Sequence, residues 1–340
     1  MSTHEPQWDP IFIVGAPRSG TTLLRNMLNR HPAIAICRET DFYHLVHNRR
    51  RAFGSFGDLQ NRRRLVKEYL STPRVQRLGL NLPALEQTLL REGASYETLF
   101  ASFLRFYAQV HGKRRCGEKT PRHALFTETL CQWYPGARII HILRDPRDVV
   151  ASLRRMPWAD RNVLGNARLW LTSNLAAWRS RHRPQYLVVR YEELVAAPEK
   201  ELGRVCAFVG EEYCPAMLVP DREPNAQQVW YLRAEGRLTT DRIGKWREQL
   251  TLEEAGLVEW FVGRHLQTFG YEAVAHPPAR MAIARDMAST VVQAARRRAG
   301  EFPAAWYSLV QSSQLAKEEI AKERFRIRQL ARCNIAEEHS

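Results

Sequence analysis

The segment Gly15–Thr22, with the sequence GAPRSGTT, combines two glycines, one arginine and three hydroxyl side chains. It follows the apolar run Ile11–Val14 and precedes a stretch with helical character. Backbone N–H groups at the start of a helix, together with the helix dipole, form a binding site for anions. The glycines permit a tight turn and a close approach of the backbone to a ligand. These residue types therefore predict a loop that binds a phosphate-like group.

The spacing of this loop is close to that of the Walker A motif, G-x-x-x-x-G-K-[ST], with one important departure. Thr21 occupies the position of the Walker lysine, and the positive charge lies instead at Arg18, inside the loop. Nucleoside triphosphatases of this type use that lysine on the β- and γ-phosphates. A P-loop nucleotide kinase is therefore kept only as an alternative function.

A second candidate anion site follows the apolar run Ile140–Leu143. Arg144 stands at the end of this predicted strand, and Ser152 lies on the helical stretch that follows. An arginine fork and a short hydroxyl both suit a phosphate, so the two side chains are candidates to converge on one group. In the alternative interpretation, Arg144 is neutralised by Asp145 or Asp148 and binds no ligand.

Both segments resemble motifs of the sulfotransferases that use 3′-phosphoadenosine 5′-phosphosulfate (PAPS) as donor. Residues 13–25 resemble the 5′-phosphosulfate loop, especially that of the branch with tyrosylprotein and many bacterial sulfotransferases. Residues 144–152, RDPRDVVAS, resemble the 3′-phosphate motif. The resemblance extends over about residues 11–271 and implies sulfuryl transfer from PAPS to a hydroxyl acceptor. The implied phosphosulfate ligands are Arg18, Ser19, Gly20, Thr21 and Thr22, and the implied 3′-phosphate ligands are Arg144 and Ser152.

Two later segments extend the resemblance. Residues 239–246 are similar to the family's loop that closes over the 3′-phosphate. The ligands implied there are Thr240, Arg242, Gly244 and Lys245. Residues 188–194 resemble the segment whose tyrosine lies near the adenine, which makes Tyr191 a candidate for stacking on the base. A tyrosine packed in the core is the alternative interpretation of that residue.

Sulfuryl transfer needs a base for the acceptor hydroxyl and positive charge on the oxygen that leaves the sulfur. Glu39 follows the second predicted strand, at the edge of a parallel sheet where ligands bind. Its place after the phosphate loop is similar to that of the catalytic glutamate in tyrosylprotein and some carbohydrate sulfotransferases. Lys119 resembles the family lysine that contacts the bridging oxygen of the donor. The resemblance thus implies Glu39, Lys119 and Arg18 as catalytic residues.

Two departures from the family limit what is implied about the acceptor. Pro121 occupies the place of the catalytic histidine of the cytosolic small-molecule branch, which leaves the role of base to Glu39. Asp41 stands where tyrosylprotein enzymes carry an arginine, which weakens the case for a protein tyrosine. His123 and Asp41 are the reserve candidates for the base. A glycan, a lipid, a peptide tyrosine and a small molecule all remain open as acceptors.

Short apolar runs, each followed by a helical stretch, predict the elements that would position these residues. The predicted strands are Ile11–Val14, Ala33–Cys37, Arg138–Leu143 and Tyr186–Val189. Repeated strand–helix units are typical of an α/β fold with a mostly parallel sheet. The resemblance implies the P-loop-like, three-layer version of that fold. Residues 42–115 are predicted to be helical and basic, either as a solvated insertion or as a lid over the acceptor.

The expected division is a sulfotransferase domain over residues 1–275 and a helical C-terminal extension over residues 276–340. A segment rich in proline, His276–Pro278, separates the two. The extension could dock on the core, form a homodimer or contact an anionic surface.

The net charge of +15 favours anionic partners, among them an anionic acceptor. A basic nucleic-acid-binding protein is a further alternative, although we expect no nucleic acid as partner. The six cysteines lack the spacing of a zinc site, so we expect no metal and reduced thiols. The first ten residues have no apolar signal-peptide core, and no stretch has the length of a membrane span. A cytoplasmic location is therefore expected.

Overall fold

A computed structural model describes residues 9–156, 159, 162–219 and 239–298. Its centre is a five-stranded parallel sheet with the strand order β2-β3-β1-β4-β5. The strands are β1 (Ile11–Val14), β2 (Ile34–Cys37), β3 (Arg115–Lys119), β4 (Arg138–Leu143) and β5 (Tyr186–Arg190). The prediction of a P-loop-like α/β fold is confirmed.

Sixteen α-helices lie within the described residues. In the first half of the chain they are α1 (Thr21–Asn29), α2 (Phe42–Leu45), α3 (Arg50–Phe53), α4 (Leu59–Leu70), α5 (Pro73–Gln76), α6 (Leu82–Glu92), α7 (Tyr96–Val110), α8 (Thr127–Trp133) and α9 (Pro146–Arg154). In the second half they are α10 (Val163–Trp178), α11 (Tyr191–Ala196), α12 (Pro198–Val209), α13 (Trp246–Gln249), α14 (Leu252–Val262), α15 (His265–Thr268) and α16 (Arg280–Arg298). Short 3₁₀ turns cover Pro121–Phe126 and Thr240–Arg242, among others.

Strand β1 is apolar at every position because both faces of the sheet are covered. Phe12 and Val14 point into a core with α4, α6, α7 and α8. Ile11 and Ile13 point to the other face, into a core with α1 and α12. A third cluster joins α9, α10 and α14 beside the sheet. This alternation produces the three layers and leaves the carboxyl ends of the strands free for a ligand.

Strand β3 was absent from the predicted strands. Its sequence, RCGEK, is polar, so it lacks the apolar run that marks a buried strand. It nevertheless lies between β1 and β2, and both Glu118 and Lys119 are 1% exposed. Gly117 is required there, because a Cβ would lie 2.1 Å from the Ile11 carbonyl oxygen. The segment is a strand because β1 and β2 pair with it on both sides. Its polar side chains form contacts at the candidate site.

Residues 42–110 form helices α2 to α7, in agreement with the predicted helical character. Their apolar side chains belong to the core of the sheet, with Leu65, Leu89 and Phe100 at 0–1% exposure. Arg63 and Arg64 face the solvent. This region is therefore a packed layer of the domain with an exposed basic surface.

Helix α16 covers the first part of the predicted extension and packs on the domain. Asp286 accepts hydrogen bonds from the backbone N–H groups of Val163 and Leu164, both at 3.0 Å, at the start of α10. A carboxylate is stabilised there by the positive end of the helix dipole. Residues 299–340 lie outside the described residues, so the domain boundary at residue 275 stays a prediction. None of the described helices has the length and apolarity needed to cross a bilayer.

Candidate active site

The loops that follow β1, β2, β3 and β4 meet at one edge of the sheet. Parallel strands place their carboxyl ends on the same side, and ligands of such sheets bind in the crevice outside them. Here the first loop starts the phosphate segment, the second carries Glu39, the third follows Lys119 and the fourth begins with Arg144. Four predicted site segments that are far apart in sequence therefore share one edge.

The phosphate loop requires glycine at its two glycine positions. Gly15 has φ 145°, and a Cβ on it would lie 2.4 Å from the Ile142 carbonyl oxygen. Gly20 has φ 99°, and a Cβ there would lie 2.5 Å from Cδ2 of Tyr191. Gly20 is also the N-cap of α1, so the loop ends on the positive end of that helix. Backbone geometry and helix dipole together favour an anion in this turn.

Arg18 adopts a left-handed backbone conformation, φ 72°, which is strained for a side chain other than glycine. Its Nε donates a hydrogen bond of 3.1 Å to Oγ of Ser152, on α9. Ser19 is fully buried, and its Oγ has no hydrogen-bond partner among the described residues. A buried hydroxyl without a partner is costly unless a ligand completes it. Thr21, at 3% exposure, starts α1 beside it.

Arg144 connects the phosphate loop to the loop of residues 239–246, called the late loop below. Its guanidinium donates to the backbone oxygens of Arg18, at 3.2 Å, and of Arg242, at 2.6 Å. Its carbon Cζ lies 4.2 Å from the ring centre of Tyr191, close enough for a cation–π contact. Its Nε has no hydrogen-bond partner within the described part of the chain. Arg144 and Ser152 thus meet through Arg18, which both of them contact.

The sequence left open whether an aspartate neutralises Arg144. Asp145 pairs with Arg147 instead, at 2.7 Å, and caps α9. Asp148 lies 3.8 Å from Arg144, but its stronger bonds go to the backbone N–H groups of Gly244 and Trp246, both at 2.8 Å. Burial raises the pKa of Asp148. Asp148 therefore fixes the late loop beside Arg144, a role that sequence reasoning missed.

The four predicted ligands of the late loop differ in their contacts and in their exposure to solvent. Gly244 has φ 68° and contributes its backbone to the contact with α9. Lys245 forms an ion pair of 2.5 Å with Glu248. Thr240 and Arg242 are exposed. In this structure the backbone of the loop, and not the lysine side chain, lies next to Arg144.

Glu39 and Lys119 form an ion pair, and Lys119 also donates to Oγ1 of Thr22, at 3.2 Å. The Glu39 side chain is 21% exposed, whereas that of Lys119 is 2% exposed. Burial acts to raise the pKa of Glu39, but the Lys119 ammonium outweighs it and holds the pKa below its ordinary value. Burial also lowers the pKa of Lys119, against the opposing effect of Glu39. The structure thus brings a partly exposed carboxylate and a buried ammonium to the end of the phosphate loop.

Glu118 holds the Glu39 segment in place, a role that no sequence motif indicated. Its Oε1 accepts from the backbone N–H of Thr40, at 2.9 Å, and from Oγ1 of Thr40, at 2.6 Å. Its Oε2 lies 2.7 Å from Nδ1 of His123, which is fully buried. Burial acts to raise the pKa of Glu118, but His123 and the threonine hydroxyls hold it below its ordinary value. His123, a reserve candidate for the base, therefore lies buried against the Glu118 carboxylate.

Within the described residues, His, Cys, Asp and Glu side chains do not gather in groups of three that could hold a metal ion. The site instead contains guanidinium and ammonium groups: Arg18, Arg144 and Lys119. Cations of this kind can neutralise phosphate and sulfate groups directly.

Comparison with known proteins places these features in a family. Residues 10–215 match the protein family described as the Sulfotransferase family. The chain is 29% identical over 298 residues to the nodulation protein NoeE of Sinorhizobium fredii, with 77% of this chain and 65% of the relative covered. It is 24% identical over 290 residues to a putative protein-tyrosine sulfotransferase of Caenorhabditis briggsae, with 79% and 91% covered. The chain therefore spans just under two thirds of the first relative and most of the second.

A solved structure shares the fold. The sulfotransferase domain from the curacin biosynthetic pathway superposes with a TM-score of 0.54 at 19% identity, over 78% of this chain and 99% of that domain. At this level of identity the likeness concerns the fold, which agrees with the parallel sheet described above.

Proposed function

This chain belongs to the sulfotransferase family, and from that premise we propose that it transfers a sulfuryl group from PAPS to a hydroxyl acceptor. In this proposal the loop from Arg18 to Thr22 binds the 5′-phosphosulfate. Arg144 and Ser152 bind the 3′-phosphate, and the loop 239–246 closes over it. Tyr191 packs at the adenine end. The acceptor hydroxyl approaches from the side of Glu39.

One observation carries the assignment of the donor: two anion-binding segments, 126 residues apart between Arg18 and Arg144, contact each other directly. Arg18 belongs to the phosphate loop, and Ser152 and Arg144 belong to the second segment. A nucleotide with phosphate groups at both its 5′ and 3′ positions needs two such sites within one crevice. A nucleotide with a single phosphate chain needs only one.

The residues present fit a donor of this kind. Oγ of Ser19 is a buried hydroxyl without a partner, and Nε of Arg144 is a buried donor without a partner, among the described residues. Buried polar groups are nearly always hydrogen-bonded in folded proteins. An anionic ligand at each position would complete both groups, which supports two separate points of contact.

In the proposed chemistry the Glu39–Lys119 ion pair separates when donor and acceptor bind, and the two side chains then act on opposite sides of the transferring group. Glu39, ionised at neutral pH because its pKa is lowered, accepts the proton of the acceptor hydroxyl as the new oxygen–sulfur bond forms. Lys119 stabilises the negative charge on the oxygen that leaves the sulfur. Arg18 and the N–H groups at the start of α1 hold the remaining phosphate charge. In this step the bond between the sulfur and the bridging oxygen of PAPS breaks as the bond to the acceptor oxygen forms, and 3′,5′-ADP leaves.

The acceptor is proposed only as a hydroxyl compound. One relative is described as a protein-tyrosine sulfotransferase, and another as an omega-hydroxy-beta-dihydromenaquinone-9 sulfotransferase of Mycobacterium bovis, 27% identical over 318 residues. These names include a phenol and an aliphatic hydroxyl, so they do not restrict the chemical class of the acceptor. A screen of labelled PAPS against glycans, lipids, peptides and phenols would identify it.

The donor assignment is tested by calorimetry with 3′,5′-ADP and 5′-AMP. A contact with a charged group contributes about 1.5–3 kcal/mol, so we expect 3′,5′-ADP to bind at least roughly tenfold more tightly. Ser152→Ala should reduce that preference and affect 5′-AMP binding less, because there Arg18 loses only the acceptor of one hydrogen bond. Equal affinity of the wild-type protein for the two nucleotides would refute the 3′-phosphate site.

Thermal stabilisation by different ligands distinguishes the alternative functions. A P-loop kinase would be stabilised by ATP with magnesium, and its turnover would be lost in EDTA and restored by magnesium. A nucleic-acid-binding protein would be stabilised by duplex DNA in a strongly salt-dependent way. For a sulfotransferase we expect thermal stabilisation by 3′,5′-ADP and turnover that continues in EDTA.

A further inference from the structure

Side chains on one face of helix α1 bind the outer edge of strand β2. Arg25 and Asn29 lie four residues apart on α1 and therefore on the same side of the helix. Asn29 donates from Nδ2 to the Ile36 carbonyl oxygen, at 3.0 Å, and its Oδ1 accepts from the Ile36 N–H, at 2.7 Å. Nε of Arg25 donates to the same carbonyl oxygen, also at 3.0 Å. Because β2 is the outermost strand at this edge of the sheet, these side chains take the place that a further strand would occupy.

Helix α1 carries the phosphate loop at its other end. It begins at Thr21, directly after the N-cap Gly20, and ends at Asn29. A helix of this length is a stiff rod of about 12 Å, at about 1.5 Å per residue. Ile36 precedes Glu39 by three residues in the chain. The contacts at Ile36 therefore connect the donor loop to the segment of the proposed base through the body of α1.

The chain is also anchored directly after Glu39. Thr40 is fully buried, and its backbone N–H and its hydroxyl group donate to Oε1 of Glu118, at 2.9 and 2.6 Å. The backbone of Glu39 is thus bounded by two anchored residues, Ile36 before it and Thr40 after it. Its side chain is 21% exposed and can reach a ligand. Contacts to α1 and β3 therefore set the backbone position from which this carboxylate acts.

Lys113 makes a second set of contacts to the same strand edge. Its ammonium donates to the backbone oxygens of Ile34, at 2.9 Å, of His31, at 3.0 Å, and of Asn29. Ile34 is the first residue of β2, so these contacts hold the start of the strand. The edge of β2 therefore has two groups of side-chain contacts, one at the start of the strand and one at Ile36.

We propose that Asn29 is a positioning residue for sulfuryl transfer, which together with Arg25 fixes the segment of Glu39 relative to the phosphate loop. This role rests on the proposed function, because it concerns the distance between the donor and the base. Reacting groups must approach to about 3–3.5 Å, and a displacement of about 1 Å caused far from the chemistry can cost about 10²-fold in rate. A shift of β2 along α1 displaces Glu39 and leaves the phosphate loop in place. Asn29 therefore affects the transfer step and not the binding of the nucleotide.

Asn29→Ala removes both bonds of this side chain to Ile36 and leaves that of Arg25. We expect the single-turnover rate of transfer from saturating labelled PAPS, to a saturating acceptor identified by the screen, to fall about 10–10²-fold. The affinity for 3′,5′-ADP should equal that of the wild type, because residue 29 lies at the end of α1 opposite to the phosphate loop. Rapid-quench kinetics and calorimetry measure the two quantities. A wild-type rate in this variant, or an equal loss of nucleotide affinity, would overturn the proposal.

Lys113→Met is the matched control, because it removes three hydrogen bonds to the backbone at the start of β2 and the end of α1. It should lower the melting temperature at least as much as Asn29→Ala, since bonds from a charged group are the stronger ones. Its transfer rate should stay near that of the wild type. Both variants are assayed well below the lower melting temperature, where each protein is folded. Rate losses that follow the melting temperatures of the two variants would show a purely structural role and exclude the positioning role.

Failure of the positioning role is separable from failure of the proposed function. If the wild type prefers 3′,5′-ADP over 5′-AMP and transfers sulfuryl groups, while Asn29→Ala transfers them at the same rate, only the positioning role fails. If the wild type transfers to none of the screened acceptors, the proposed function and the positioning role fail together.

Discussion

Glu39 and Lys119 are 80 residues apart in the chain and form one ion pair at the carboxyl edge of the sheet. The pair keeps Glu39 ionised, because the ammonium lowers the carboxyl pKa in spite of burial. It also orients Lys119 towards Thr22 and hence towards the phosphate loop. At the scale of single residues, the proposed base and the proposed stabiliser of the leaving oxygen are therefore held together at one edge of the sheet.

We expect Glu39→Gln to lower the rate of sulfuryl transfer by about 10²–10⁴-fold, because the amide cannot accept the proton. Lys119→Ala should lower it by about 10²–10³-fold, because the leaving oxygen loses its stabilising charge. Neither substitution should change 3′,5′-ADP affinity more than modestly. Single-turnover rates at saturating PAPS, with an acceptor found by the screen, provide the measurement.

Arg18→Ala is the comparison variant, because it should weaken donor binding and turnover together. A Glu39→Gln rate within about threefold of the wild-type rate lies far below the general-base range and would exclude Glu39 as the base. Asp41 and His123 would then be tested in its place.

At the scale of elements, helix α9 and the late loop act as one unit. The carboxylate of Asp148, in the first turn of α9, sets the positions of Gly244 and Trp246 through their backbone N–H groups. Arg144, at the start of the same unit, donates to the Arg242 carbonyl oxygen. The predicted 3′-phosphate ligands therefore depend on an aspartate that itself cannot bind a phosphate.

Asp148→Asn should weaken 3′,5′-ADP binding about tenfold and leave 5′-AMP binding nearly unchanged. The two N–H groups bond to different carboxylate oxygens, so the single amide oxygen can keep only one of them and the NH₂ group faces the other. Bonds to a charged group contribute about 1.5–3 kcal/mol each. Calorimetry with the two nucleotides measures the effect. Asp241→Asn, an exposed change in the same loop, is the control. An equal loss of affinity for both nucleotides would contradict a role confined to the 3′-phosphate.

At the scale of the whole molecule, buried histidines determine the response to acid. His141 is fully buried and bonded to Asn174 and Tyr186, and burial lowers its pKa from 6.5 to about 4. Burial likewise lowers the pKa of His47 to about 4 and holds that of His44 well below 6.5. In the unfolded chain these groups bind protons at higher pH than in the folded chain. The free energy of unfolding therefore falls as the pH drops from about 6.5 towards 4.

For His141 alone, a change from pH 7.5 to pH 5.5 should lower the free energy of unfolding by about 1 kcal/mol. Asp148 and Glu192 act in the opposite direction, because burial raises their pKa values. Urea unfolding of the wild type and of His141→Gln at both pH values isolates the contribution of His141 to the change in the free energy of unfolding. The variant should lose about 1 kcal/mol less than the wild type on acidification. The same loss in both proteins would contradict a neutral, buried His141.

Several features of this protein follow from short stretches of sequence. Four of the five strands were predicted to within one residue at either end, because β-branched runs bounded by glycine or charge mark buried parallel strands. The phosphate loop was predictable because only glycine tolerates the backbone at residues 15 and 20. The family resemblance, confirmed over residues 10–215, rests on the same short motifs. Local backbone preferences and local motif chemistry are sufficient for conclusions of this kind.

Other features were decided by tertiary structure alone. Strand β3 is polar in sequence and becomes a strand because β1 and β2 pair with it on both sides. Glu118 supports the segment of Glu39 from 78 residues away, as its contact with Thr40 shows. Arg74 of α5 pairs with Asp41, at 2.7 Å, although the two lie on different segments of the chain. Burial and electrostatic balance depend on which distant segments meet, and no window of sequence contains that information.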